Sequence, residues 1–162
     1  MRRSTGRAAA TTMVGDERVA LCVARFYEQL ADKLEQGARA ALQEAGISTA
    51  ERFDVPGAFE LPLIAKYAAE SGRYDAVVCL GAVIRGETDH YDYVCSSAAT
   101  GIAAVALETG VPCGFGVLTV DNVEQALERV TGGSKRDTGA HAVEAVLASL
   151  AVKRRLAPAG AA

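Results

Sequence analysis

The feature that most constrains this chain is an apolar run, Ala76–Ile84 (AVVCLGAVI), that stops abruptly at Arg85-Gly86. A strand with one solvated face alternates apolar and polar residues. This run does not alternate, so it is expected to be buried on both faces, as in a parallel sheet. A polar loop follows, Glu87-Thr88-Asp89-His90, and then a helix from about Tyr93. Strand, charged turn, helix is where α/β proteins place chemistry, because the loop leaves the carboxyl end of a strand.

The rest of the chain repeats the same alternation. Val19–Ala24 is a second buried apolar run, ended by Arg25-Phe26-Tyr27. Tyr27, Leu30, Ala31, Leu34, Ala38, Ala41, Leu42 and Ala45 then recur at three- and four-residue steps, one face of a helix that Gly46 stops. Arg52–Val55 is a short strand broken by Pro56-Gly57, and Phe59–Ala69 is a helix that tolerates Pro62 in its first turn. Tyr93–Thr109 is a helix of small residues with little charge before Glu108. A helix without a charged face is usually covered on more than one side, and the second cover is expected to be another subunit. Cys113–Thr119 is a fourth strand. Asp121 or Asn122 caps a short helix through Val130, Thr131–Gly139 is a loop, and a final helix runs from about Ala140 to Arg155. This order predicts an α/β fold, a four-stranded parallel sheet with helices on both faces. A flavodoxin-like strand order puts the loops Arg25-Phe26 and Arg85–His90 beside one crevice.

With 162 residues the chain is read as one domain, residues 18–156, between tails at 1–17 and 157–162. A net charge of −3 gives no basic field for nucleic acid. No apolar run approaches the ~20 residues of a membrane span. The start, MRRSTGRAAATTM, has no apolar stretch of the secretory kind and is expected to be a solvated tail. Cys22, Cys79, Cys95 and Cys113 form no CxxC pair and no metal-ligand spacing, and they fit inert thiols in a reducing cytoplasm.

His90 is the one good acid–base candidate, since an imidazole titrates near ~6.5. Asp89, Asp92 and Glu87 are near enough in sequence to orient it; otherwise it is an exposed loop residue. His141 has no such cluster and reads as a surface residue. Arg85-Gly86-Glu87-Thr88 has the composition of an anion cradle, with Gly86 for a sharp turn and Glu87 contributing only its backbone. Arg129 and Lys135 can supply charge to a phosphate, or be solvated surface cations. Phe26 and Phe59 lie just past strand ends, placed either to stack on a planar heterocycle or to pack. Glu60 opens a helix and complements its dipole. GFGVLT lacks the third glycine of a dinucleotide fingerprint, GGSK lacks half a P-loop, and no GxSxG, HExxH or zinc set is present.

Together, VARF, FDVPGAFELP, LGAVIRGETDHYDYVC, GFGVLT and NVEQALERV resemble the lumazine synthase family, in family order, from about Val19 to Leu156. The resemblance implies a flavodoxin-like three-layer α/β/α sandwich. It implies condensation of 5-amino-6-(D-ribitylamino)uracil with 3,4-dihydroxy-2-butanone 4-phosphate to 6,7-dimethyl-8-ribityllumazine, without a cofactor or metal. It implies that Phe26 stacks on the pyrimidine, that Ala58, Phe59 and Glu60 meet the ribityl chain and its surroundings, and that Ala82, Val83 and Ile84 turn backbone groups to the uracil edge. Glu87, Thr88 and Arg129 then hold phosphate, His90 moves protons, and Phe115 reaches the site from a neighbouring subunit of a pentamer, which gives Tyr93–Thr109 its partner.

Two positions depart from the family pattern. Many relatives have Asn where this chain has Tyr27, and many have Lys where Thr138 precedes Gly139. These departures leave a second reading open, a non-catalytic flavin or lumazine binder on the same fold.

Overall fold

The structure is a computed structural model that describes residues 13–158. Its strands are β1 (Arg18–Ala24), β2 (Thr49–Val55), β3 (Ala76–Ile84) and β4 (Cys113–Val120). Its α-helices are α1 (Glu28–Glu44), α2 (Leu61–Glu70), α3 (His90–Thr109), α4 (Val123–Glu128) and α5 (Thr138–Leu156). The strands form one sheet in the order β2-β1-β3-β4, every neighbouring pair parallel. The predicted α/β architecture is therefore present.

β1 and β3 form the middle of the sheet, and their side chains feed two separate cores. Val19, Leu21 and Val23 of β1 join Val78 and Leu80 of β3 against α1 and α5. Ala20, Cys22 and Ala24 join Val77 and Cys79 against α2, with Ile102 and Val105 of α3. The absence of alternation in these runs is thus the mark of a sheet covered on both faces.

Close helix contacts explain several small residues. A Cβ on Gly139 of α5 would collide with the carbonyl oxygen of Leu34 in α1. A Cβ on Gly101 of α3 would come within 2.7 Å of the Pro62 ring in α2. The inner face of α3 is Ala98, Ile102 and Val105, while Tyr93, Ser96, Thr100, Ala103 and Leu107 remain exposed.

Element ends differ from expectation where backbone bonding, not apolarity, sets the boundary. β2 begins at Thr49 rather than Arg52, because its pairing with β1 starts at Arg18↔Thr49 although its residues are polar and exposed. Helix α3 begins at His90 rather than Tyr93, since the Asp89 carbonyl accepts the N–H groups of Asp92 and Tyr93. The predicted Phe59–Ala69 helix divides into a 3₁₀ turn, Ala58–Glu60, and α2. α5 starts at Thr138 because the Asp137 carboxylate accepts the Ala140 N–H at 3.1 Å.

Glu17, which the sequence reading assigns to the tail, is fully buried and bonded to Arg154. Residues 1–12 and 159–162 of the predicted tails lie outside the described residues. Among the described residues no helix is long and apolar enough to cross a membrane, and no His, Cys, Asp and Glu group is placed to hold a metal.

Candidate active site

The four strands run in one direction, so the segments after them emerge along one sheet edge. Phe26 follows β1 and Phe59 follows β2; both rings are largely exposed, 73% and 63%. The turn bearing Phe26 is anchored by its neighbours. The Arg25 guanidinium donates to Asp32 at 2.6 Å, its backbone N–H donates to the Val55 carbonyl, and the Tyr27 ring meets Phe26 edge-on at 4.8 Å. Ala58 is buried, and the Glu60 carboxylate turns back to accept the Gly57 N–H at 2.9 Å. That bond occupies one Glu60 oxygen locally, in line with the predicted helix-opening role.

β3 outruns β1. The last pair between them is Val23↔Leu80, whereas β3 and β4 stay paired to Ile84↔Val120. Ala82, Val83 and Ile84 are hydrogen-bonded to β4 on one flank and are unpaired with β1 on the other. A parallel strand carries donors and acceptors along both flanks, so this overhang offers peptide groups to a planar partner at the edge.

In the loop after β3 two features stand out. Arg85 does not point its guanidinium at open space: its Nε donates to Asp121 Oδ1 at 3.0 Å, its Nη1 lies 3.8 Å from Asp92, and its planar head sits 4.2 Å from the centre of the Tyr91 ring. Gly86 lacks a left-handed backbone and has open space where a Cβ would be, so the turn does not require glycine. Glu87, Thr88, Asp89 and His90 are all exposed. The His90 N–H donates to Thr88 Oγ1 at 3.3 Å, and His90 is the first residue of α3. Asp89 makes no side-chain cap on that helix. In the first turn of α3 the Thr88 hydroxyl and the Asp89 carbonyl accept the N–H groups of His90, Asp92 and Tyr93, and the Asp92 carboxylate also lies in that turn.

Arg129 closes α4, after the adjacent strand β4. Its Nη1 donates to the Gln125 carbonyl at 2.8 Å and to Glu128 at 3.1 Å. In the single chain the guanidinium is therefore engaged with its own segment, leaving other N–H donors for an anion. Phe115 is not brought to this edge. It pairs across from Cys79 and lies five positions before Val120, about 16 Å of strand. Its ring is 40% exposed on the sheet's outermost strand. Two surface clefts, of about 410 and 480 Å³, lie beside β2 and are lined by neither His90 nor Arg129. Within one chain, then, Phe26, Phe59, the β3 overhang and His90 occupy one edge, Arg129 follows the neighbouring strand, and Phe115 stands apart.

Of the residues that engage Arg85, the sequence gives no signal for Tyr91 and offers Asp121 only as a helix cap, a place that Asn122 takes. Asp121 lies 36 residues from Arg85, and no local spacing signals such a pair.

A model of the family described as 6,7-dimethyl-8-ribityllumazine synthase matches residues 16–154 of this chain. The chain belongs to the lumazine synthase family. Proteins named 6,7-dimethyl-8-ribityllumazine synthase are similar to it over most of their length. One from Kineococcus radiotolerans is 51% identical over 142 residues, 87% of this chain and 88% of the relative. One from Streptomyces coelicolor is 50% identical over the same shares, and one from Deinococcus radiodurans is 49% identical over 87% of this chain and 92% of the relative.

The lumazine synthase match takes in every candidate residue from Phe26 to Arg129. Of the two departures from the lumazine synthase pattern, Tyr27 is half-buried and packs against the α1–α5 core. Thr138 opens α5, and its N–H donates to the Arg129 carbonyl at 2.9 Å. The nearby Lys135 and Arg136 are exposed.

Proposed function

We propose that this chain catalyses the condensation of 5-amino-6-(D-ribitylamino)uracil with 3,4-dihydroxy-2-butanone 4-phosphate, giving 6,7-dimethyl-8-ribityllumazine and releasing phosphate and water. The observation that carries the reading is the edge itself: two exposed phenyl rings, an unpaired strand flank and the only histidine of that edge follow neighbouring strands. Family membership supplies the substrates.

In the proposed reaction the 5-amino group attacks the ketone carbon, and the resulting carbinolamine loses water to form a Schiff base. Elimination of phosphate breaks the C–O bond. That elimination takes the proton from the hydroxyl-bearing carbon and leaves an enol, which tautomerises to a new carbonyl beside a methyl group; the ribitylamino nitrogen closes the second ring on this carbonyl, with loss of water. No atom requires an external oxidant, so proton transfers and phosphate stabilisation are sufficient and no cofactor is needed.

His90 carries protons between these nitrogen and oxygen centres. Phe26 stacks on the pyrimidine, and Ala58, Phe59 and Glu60 border the ribityl chain. The overhanging backbone of Ala82, Val83 and Ile84 reads the uracil edge. Glu87 and Thr88 bracket the phosphate through the loop, and Arg129 pairs with it through its planar fork, loosening its contact with Glu128.

The reading includes a homo-oligomer built on pentamers. Support comes from the exposed, uncharged stripe Tyr93, Ser96, Thr100, Ala103 and Leu107 on α3, in which Tyr93 and Leu107 are large apolar side chains of the kind that subunits cover. It also comes from Phe115, whose distance from its own edge suits a role in a neighbour's site. The free cysteines Cys22, Cys79, Cys95 and Cys113 fit a cytoplasmic enzyme.

The test is direct. The two substrates are mixed with the protein, and lumazine absorbance and phosphate release are followed beside an enzyme-free control, because the condensation has an uncatalysed background. A rate equal to that background would overturn the assignment.

A further inference from the structure

The Arg85 side chain joins three elements that surround His90, and no step of the proposed reaction uses it. Its backbone N–H donates to the Val120 carbonyl at 2.9 Å, which ties the end of β3 to the end of β4. Its Nε then holds Asp121, just past β4. Its guanidinium plane lies over Tyr91 and near Asp92, the two residues that follow His90 in the first turn of α3. Tyr91 itself lies against Thr119 of β4 and Cys95 of α3. By contrast, among the described residues the only polar contact His90 makes outside its helix is the N–H bond to Thr88.

We propose that Arg85 is a positioning residue, which clamps the first turn of α3 to the end of β4 and so fixes where the His90 imidazole stands. The inference rests on the reading of His90 as the proton carrier. Its physical basis is the shape of the guanidinium. One permanently charged group donates to Asp121 and sits over the Tyr91 ring at once, a pairing that suits the planar fork of arginine and not a compact ammonium group. Misplacing a catalytic group by about 1 Å is enough to cost on the order of 100-fold in rate. A clamp on the turn that bears the imidazole therefore acts on turnover and leaves substrate affinity alone.

The alternative role for Arg85 is direct capture of the phosphate, and the two roles separate kinetically. Positioning predicts that Arg85→Ala lowers kcat about 10- to 100-fold with KM for both substrates nearly unchanged. It predicts that Arg85→Lys rescues only part of the loss, and that Asp121→Asn lowers kcat in the same direction but adds little to Arg85→Ala. A rise in KM confined to the phosphate-bearing substrate, or an unchanged kcat in Arg85→Ala, would overturn it. A second measurement does not depend on turnover: amide hydrogen exchange of the assembled protein. Arg85→Ala is expected to speed exchange at residues 90–94 while the Val77–Leu80 amides of β3 stay protected. Unaltered exchange at the start of α3 would sink the clamp. If the wild type itself shows no catalysis above background, the functional reading fails, and the exchange result still decides whether Arg85 holds the turn.

Discussion

Arg154, near the end of α5, donates a hydrogen bond of 2.6 Å to the buried carboxylate of Glu17, just ahead of β1. The same carboxylate accepts the N–H groups of Val14 and Gly15, each at 2.9 Å. Burial by itself raises the carboxyl pKa. The bonds from Arg154 and from the backbone outweigh it and hold the group at about 2. Glu17 thus fastens the segment entering the sheet to the last helix.

The first prediction concerns acid. A carboxyl whose folded pKa lies below its free value stabilises the fold fully above the free value and loses that contribution as pH falls toward the folded one. Glu17 should contribute completely above about pH 5 and fade between about 4.5 and 2. Glu17→Gln is expected to cost about 1–3 kcal/mol near neutrality, where a charged hydrogen bond is lost. Thermal melts of the two proteins from pH 7 to pH 2 should converge in acid; a constant gap would refute the assignment.

His90→Ala should lower the condensation rate by about 10²- to 10⁴-fold, the usual worth of a general acid–base. Bound substrates are still held together in that variant, so a residual rate above the enzyme-free control is expected. Stopped-flow absorbance of the lumazine product measures both.

Arg129→Ala should raise KM for the phosphate-bearing substrate and leave KM for the aminouracil unchanged. Losing one charge-assisted phosphate contact corresponds to roughly 10-fold or more, at about 1.5–3 kcal/mol. Because the guanidinium bonds only to Gln125 and Glu128 among side-chain hydrogen bonds of the described residues, folding should be nearly normal by circular dichroism. Unchanged kinetics would remove Arg129 from the site.

Phe115 gives a test of sharing between subunits. If it completes a neighbour's site, His90→Ala and Phe115→Ala chains should each be impaired alone. Co-assembled from a mixture, they should regain activity, because some interfaces pair an intact imidazole with an intact ring. No gain over the sum of the separate proteins would place Phe115 outside the site.

Gly139→Ala should destabilise the fold by about 1–3 kcal/mol or more, since the added methyl meets the Leu34 carbonyl. A lowered melting temperature is the expected outcome. Gly86→Ala, at a position with open space, should leave stability within about 0.5 kcal/mol.

The sheet was legible because its central strands are buried on both faces and so read as unbroken apolar runs. β2 was legible only in part. It is an edge strand, and Glu51, Arg52 and Asp54 are exposed, so pairing rather than hydrophobicity defines its start. The first turn of α3 was hidden for a similar reason: His90 and Asp92 are polar and solvated, and the carbonyl of Asp89 draws them into the helix. For the candidate site, residues adjacent in sequence to strand ends could be picked out, as Phe26, Phe59 and His90 were. The partnership of Arg85 with Asp121 could not, because it depends on β3 and β4 ending level at Ile84↔Val120. The composition of Arg85–Thr88 suggests an anion cradle of backbone N–H groups, and it carries no signal for the partners that hold the Arg85 guanidinium.

The overhang of β3 beyond β1 has a consequence for how such a protein tolerates mutation. Peptide groups are common to every residue except proline, which has no N–H. A heterocycle read along Ala82–Ile84 is read in an alphabet that substitution does not rewrite. Drift at these positions alters bulk and fit, while the pattern of donors and acceptors survives for as long as β4 keeps the strand straight. Proline is the one replacement that would erase a letter.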